Sequence, residues 1–229
     1  VLPGQTHVPG QTSIGAAITG AISDRTAGSA YNATILAVDG FYNIDASVGS
    51  VVSVTTSDLN DIEPSSSTFS SGQVIFSITN VTSGAGQFIT PAAVGLTNIA
   101  SSTFTVNPGA ATQVIVVMPG QTHNEGVASL AAAITGSPTA QVAGSSYNVE
   151  VKAVDGAFNT VTSYASAVSI ATNDANDTDP AATSFSSGTV SISVTKPCSY
   201  SRLISSFTSW SVVAMIVAPY SLIGGSRAL

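Results

Sequence analysis

The sequence predicts an all-β protein made of two tandem antiparallel β-sandwich domains. Three observations carry that expectation: an internal repeat without gaps, strand-period alternation inside each copy, and a composition poor in charge. Pro3-Gly-Gln-Thr-His7 returns 116 residues later as Pro119-Gly-Gln-Thr-His123, and Phe69-Ser-Ser-Gly72 returns as Phe185-Ser-Ser-Gly188. Over Val1 to Thr79, 39 of 79 positions are identical to the residue at that offset. Self-similarity of this strength marks two copies of one fold rather than chance. Boundaries are expected at 1–110 and 111–229, the second copy ending in a divergent stretch, 197–229.

The most regular segment is Tyr147 to Val154. Tyr147, Val149, Val151 and Ala153 alternate with Asn148, Glu150 and Lys152, a period of two with the charges on one face. That is the pattern of a half-buried antiparallel strand. The first copy keeps the inward set as Tyr31, Ala33, Ile35 and Ala37. Asp39-Gly40 and Asp155-Gly156 follow, and the glycines are expected to take positive φ in tight turns. Further strands are expected at Val51–Val54, at Val74/Phe76/Ile78, and at Gln87–Thr90 with Ala93–Leu96 around Pro91. Thr103–Asn107 closes the first copy. Ala111–Met118 opens the second, followed by Val168–Ile170 and Val190/Ile192/Val194. Short strands punctuated by Gly, Pro and Asn suit a sandwich. Val127–Ile134 allows one helical turn, ended by Gly136 and Pro138.

Only 7% of the residues are charged, with a net charge of −7 and five Lys and Arg. No basic stripe exists to neutralise phosphates, which argues against a nucleic-acid partner. A surface so rich in Ser and Thr points to a secreted or surface-displayed protein. Cys198 is the single cysteine and reads as an incidental thiol. The chain starts at Val1 without Met, as expected of a processed protein or of a piece of something longer.

Several segments together resemble a known family: Val114-Ile-Val-Val-Met-Pro-Gly-Gln-Thr122, Ala143-Gly-Ser-Ser-Tyr-Asn-Val149 running on to Asn159, Val168 to Pro180, and Ser71-Gly-Gln-Val-Ile-Phe-Ser-Ile-Thr79. The chain is similar to bacterial immunoglobulin-like repeats of large secreted and cell-surface proteins over residues 1–196. The resemblance implies immunoglobulin-like sandwiches, a structural or adhesive role in arrays, and no catalytic residues.

The tail departs from the repeat after Lys196, and three readings compete. Divergent closing strands would put Tyr220 and Leu222 on Phe104 and Val106. A membrane anchor would use 203–223, which is long enough to span a bilayer but carries Pro219 and several hydroxyl residues. The third is sequence unrelated to the fold. Closing strands match the missing length and are preferred. At the other end, the first copy starts at the equivalent of Val117, so it lacks most of an opening strand. An open sheet edge is expected there, which another copy could fill by strand addition.

The polar constellation with chemistry to offer is a pair of acidic loops. Asp58, Asn60, Asp61 and Glu63 in the first copy, and Asp174, Asn176, Asp177 and Asp179 in the second, crowd oxygen donors into six residues. Hard calcium ions want six to eight oxygens, so these residues are the candidate calcium ligands and calcium the one candidate cofactor. The bland alternative is an Asx-rich turn capping its own backbone. His7 and His123 stand at equivalent positions one copy apart and are expected to be turn or contact residues. Asp39 and Asp155 read as turn residues, Tyr31 and Tyr147 as core, and Leu36 as an exposed apolar hint of a contact surface. No nucleophile triad, phosphate loop or paired-carboxylate cleft is present in the sequence. The expected function is therefore non-enzymatic: a spacer, stalk or fibre subunit outside the cell, associating with itself or with neighbouring repeats. The alternative is an adhesin or binding module for a glycan or surface protein.

Overall fold

Alternation in the sequence becomes strand wherever it is longest. The computed structural model describes residues 1–172 and 178–195. It is 38% strand and 4% helix, so the fold class is all-β. The main strands are β1 (Tyr31–Leu36), β2 (Val51–Thr56), β3 (Gln73–Ile78), β4 (Gly84–Gln87), β5 (Ile89–Ala93) and β6 (Phe104–Asn107). They continue with β7 (Gln113–Val117), β8 (Ser146–Val154) and β9 (Thr189–Thr195). Among the described residues two helices occur, α1 (Ile14–Ala17) and α2 (Leu130–Ala133), each a single turn.

Contacts divide the chain into two compact units. The first holds Val1–Ala110, Asn124–Ala133 and Asp155–Asn159; the second holds Ala111–His123, Ile134–Val154 and, among the described residues, those from Thr160 onward. In the first unit β1 pairs antiparallel with β3, from Tyr31 opposite Ile78 to Leu36 opposite Gln73. β2 lies between Ser67–Thr68 and β5, and β6 lies between β4 and a parallel two-residue strand at Arg25–Thr26. The inward residues of these sheets share one core: Tyr31, Ala33, Val52, Val54, Phe76, Ile78, Ile89, Phe104 and Val106 are all buried. Tyr31 packs edge-on against Phe104 at 6.1 Å between ring centres, and the Arg25 guanidinium lies over its face.

The second unit is built on a three-stranded sheet in the order β7-β8-β9. Its register runs from Gln113 opposite Val154 to Val117 opposite Glu150, and from Ser146 opposite Thr195 to Lys152 opposite Thr189. Val114, Val149, Val151, Ala153, Val190, Ile192 and Val194 form its core, as the alternation predicted. Positions equivalent to β4–β6 fall at 200–223, outside the described residues. The anchor at 203–223, the closing strands through Tyr220 and Leu222, and Cys198 fall there too.

Three local expectations are corrected. Neither Gly40 nor Gly156 has positive φ; the left-handed residues are Tyr42 (φ 58) and Phe158 (φ 61). The reason lies in the preceding aspartate. Asp39 accepts the N–H groups of Phe41 and Asn43 on Oδ1 and that of Tyr42 on its backbone oxygen, which moves the reversal two residues past the glycine. A bulky residue at φ > 0 is unusual and persists only when its surroundings over-determine it. Second, Pro91 sits inside β5 rather than between two strands. β5 pairs on one side only, with β2, and an edge strand can spare the missing N–H. Third, Leu36 is half-buried rather than exposed.

Positive φ does fall on glycine in the Ser-Gly turns. Ser71 (φ 49) and Gly72 (φ 73) form a two-residue reversal, across which Ser70 and Gln73 exchange both backbone hydrogen bonds. Ser187 and Gly188 repeat it with φ 50 and 72. Positive φ at both central residues is the type I′ turn that matches strand twist. A Cβ on Gly72 would also run into the Asp45 carbonyl oxygen.

Candidate functional site

The acidic loop of the first unit leaves the end of β2 and folds over its own carboxylates. Asp58 is 4% exposed. Its Oδ2 accepts the N–H groups of Val81 and Thr82, both at 2.7 Å, and its Oδ1 accepts the Thr82 hydroxyl at 2.7 Å and the Asn60 N–H at 3.1 Å. Burial works to raise the Asp58 pKa, but the four donors together outweigh it and hold the carboxyl below the usual aspartate range. Asp61 has the opposite balance. Its desolvation dominates a single bond from the Thr56 hydroxyl (2.7 Å), with Glu63 and Asp58 adding repulsion, so its pKa is raised. Glu63 accepts the Thr56 N–H at 2.8 Å. Asn60 donates its amide to the Thr82 hydroxyl and to the carbonyl of Glu125, a residue of the same compact unit.

Asp58 staples the loop at 56–63 to the chain at 81–82, while Asp61 and Glu63 close the loop on Thr56. Asp58 points its oxygens at N–H and O–H donors, so as arranged it does not fit a calcium ligand, which must present free lone pairs to the ion. Among the described residues no group of three or more His, Cys, Asp or Glu side chains is placed to hold a metal ion. In the second copy, Asp174, Asn176 and Asp177 lie outside the described residues. Asp179 accepts the Thr172 N–H at 2.8 Å, which repeats the bond between Glu63 and Thr56 at the repeat offset.

The other singled-out residues take structural posts. His7 Nε2 is 2.8 Å from the Tyr42 carbonyl oxygen, holding the left-handed turn, and His123 lies opposite Ile134 in a two-residue ladder. Asn43 donates its side-chain amide to both oxygens of Asp39, and together with its own N–H and that of Phe41 it lowers the Asp39 pKa. Asp155 and Asn159 repeat the pairing but are buried. There Asp155 Oδ2 also accepts the Gly109 N–H at 2.8 Å, while Asn159 accepts the Ser83 N–H and donates to the Val81 carbonyl. Tyr31 donates its hydroxyl to Asn80 at 2.6 Å, and burial raises its pKa. Asn80 was missed in the sequence although a signal was there. The inward phase Val74, Phe76, Ile78 carries directly to it, which places a polar side chain in the core, where it needs a partner.

Among the described residues a concave site lies in the first unit, beside the edge of β1 that Val1 flanks. β1 is bonded along one side to β3; along the other, Val1 exchanges backbone bonds with Thr34 at 2.7 and 2.9 Å. Beside that pair lies a cavity of about 600 Å³, whose lining includes Val52, Phe69 and Ile89 of the core, Ile35 packed against that core, and Ile14 and Leu36. Its size is that of a ligand cleft, and its walls are mostly apolar.

These features define an all-β, internally repeated protein whose polar clusters brace loops. Comparison with protein-family models and with curated proteins gives no match.

Proposed function

We propose that the chain is a non-enzymatic extracellular structural protein: a spacer, stalk or subunit of a surface fibre built from two immunoglobulin-like β-sandwich repeats. The observation that carries this reading is the repeat itself, 39 identities in 79 positions, set on ladders of antiparallel strands. Duplicated modules of this kind lengthen a chain without adding a reaction, and their ladders resist extension through hydrogen bonds between strands. The buried carboxylates serve loop backbone rather than a substrate cleft, which fits a mechanical role. Neighbouring repeats or further copies would join end to end, with strand addition at an open edge as the physical route. Negative-stain microscopy of the purified chain tests it: regular fibres or end-to-end strings are expected, and isolated particles at all concentrations would refute assembly.

An adhesin or carbohydrate- or protein-binding module is the second reading. It is favoured by Phe41 (60% exposed) on the Asp39 turn, and by Leu59 (96%) and Ile62 (92%) on the acidic loop. Exposed apolar side chains of this size suit a contact surface. A glycan and surface-protein binding screen compared with Phe41→Ser and Leu59→Ser variants separates the two.

A further inference from the structure

Edge strands of natural sheets are commonly guarded by a charge, a proline or a bulge. β9 has none of these. It ends the sheet order β7-β8-β9, pairs with β8 without a break from Thr195 to Thr189, and is uncharged throughout. Hydrogen bonds fix which of its backbone groups face outward. Thr189 exchanges both of its bonds with Ser186 across the Ser187-Gly188 turn, so its N–H and C=O point away from β8. Direction alternates along a strand, so those of Ser191 and Ser193 also point away from β8. Among the described residues no strand lies against them. The first repeat shows that the fold itself leaves this edge open. There β3 pairs with β1 alone, Gln73 exchanges both bonds with Ser70, and Ile75 and Ser77 are the exposed residues that follow in the same phase. The strands that close that repeat, β4 to β6, run in other sheets.

What sets β9 apart is its order of residues: Thr189-Val-Ser-Ile-Ser-Val-Thr195 reads identically in both directions. We propose that this edge is a self-association surface, whose occupant is β9 of a second copy of the chain, paired antiparallel about a two-fold axis through Ile192. That axis sets Ser191 opposite Ser193 of the second copy, Val190 opposite Val194, and Ile192 opposite its own equivalent. The outward-facing residues left free on each chain, Ser191 and Ser193, then meet one another and exchange both backbone bonds in each pair. With the axis normal to the sheet, Val190, Ile192 and Val194 stay on the core side in both copies, so the sheet runs on as β7-β8-β9-β9-β8-β7. The ladder stops at Thr189, whose outward bonds Ser186 already takes. β3 lacks this self-match, since the same axis at Phe76 would set Ile75 opposite Ser77 and Val74 opposite Ile78. An isologous contact closes on itself, so the pair needs no further copies and the inference does not rest on fibre formation.

The test is sedimentation equilibrium of the full chain over a concentration series. A reversible monomer–dimer equilibrium is expected, in the micromolar to millimolar range that suits a short ladder. Ser193→Pro removes an outward N–H, a change that an edge strand tolerates, and should weaken the dimer at least about tenfold while circular dichroism and Tm report an intact fold. Charge exchange reads the register. A chain carrying Ser191→Lys with Ser193→Lys, or Ser191→Glu with Ser193→Glu, sets like charges opposite each other and should stay monomeric. Mixing the two should restore a dimer, heterotypic and at least about fivefold tighter than either alone. Ile75→Lys, on the β3 edge, should leave the wild-type equilibrium unchanged. The proposal is overturned if the chain is monomeric at its highest soluble concentration, if folded Ser193→Pro pairs as well as wild type, if the mixed charge variants fail to pair, or if Ile75→Lys abolishes the dimer, which would assign the contact to β3.

Discussion

Replacing Asp58 by asparagine is the sharpest probe of the loop staple, because the change preserves shape and removes only charge and one acceptor. The side chain accepts four hydrogen bonds from Val81, Thr82 (twice) and Asn60 while 4% exposed. Whichever way the new amide turns, its NH2 faces donors. If its oxygen keeps the Val81 and Thr82 N–H groups, the Asn60 N–H loses its acceptor. Bonds to a charged group are worth about 1.5–3 kcal/mol and neutral ones about 0.5–1.5, and an orphaned buried donor costs about 1–3. Weakening two bonds, losing that of Asn60 and turning the Thr82 hydroxyl from donor to acceptor, less the relief of no longer burying a charge, gives a loss of about 2–3 kcal/mol. For a unit of this size that is a fall in Tm of roughly 10–20 °C. The pH dependence carries a second signature. The folded pKa of Asp58 is depressed, so its contribution is present above the unfolded value of about 3.9 and is lost as pH falls through the folded pKa. Urea denaturation at pH 7 and at pH 3 should therefore show the difference between wild type and Asp58→Asn shrinking with acid. A difference below about 0.5 kcal/mol at pH 7, or one that is independent of pH, would refute the staple.

The remaining expectations can be checked with the same instruments. Asp61→Asn should leave Tm unchanged or raise it at pH 7. The wild-type pKa is raised, so the folded state favours the protonated form and gives that advantage up as pH rises through the folded pKa; any gain should vanish in acid. Gly72→Ala should destabilise the first unit by about 2–4 kcal/mol, since it meets both a left-handed φ and the Asp45 carbonyl; calorimetry reads this as a lowered Tm. Calcium at about 10 mM, above the range in which extracellular modules bind it, should leave Tm unchanged because Asp58 is committed to N–H donors. A rise in Tm that Asp61→Asn abolishes would restore the acidic loop as a metal site.

Strands were legible in the sequence to the degree that one face is buried. β8 and β9 alternate cleanly, and the structure puts Val149, Val151, Val190 and Ile192 inward as read. The register of β5 was not legible, because Pro91 is a breaker in most contexts and only edge position makes it harmless. The two Asp-Gly turns misled for a related reason. Glycine is the default bearer of positive φ, but a side-chain acceptor two residues upstream of Phe41 overrides that default and passes the strain to an aromatic. Of the candidate site, the clustering of carboxylates was visible and their orientation was not. Asp58 turns inward because its donors, Val81 and Thr82, come from a segment more than twenty residues away, and no local pattern encodes that approach.

Turning the protein into separate pieces would be harder than its duplicated sequence suggests. Gly109, Ser83 and Val81 each rely on Asp155 or Asn159, so a cut after Ala110 strips three backbone groups of the first half of their partners. The unit of heredity and the unit of cohesion here have different borders, and a workable dissection would follow the second.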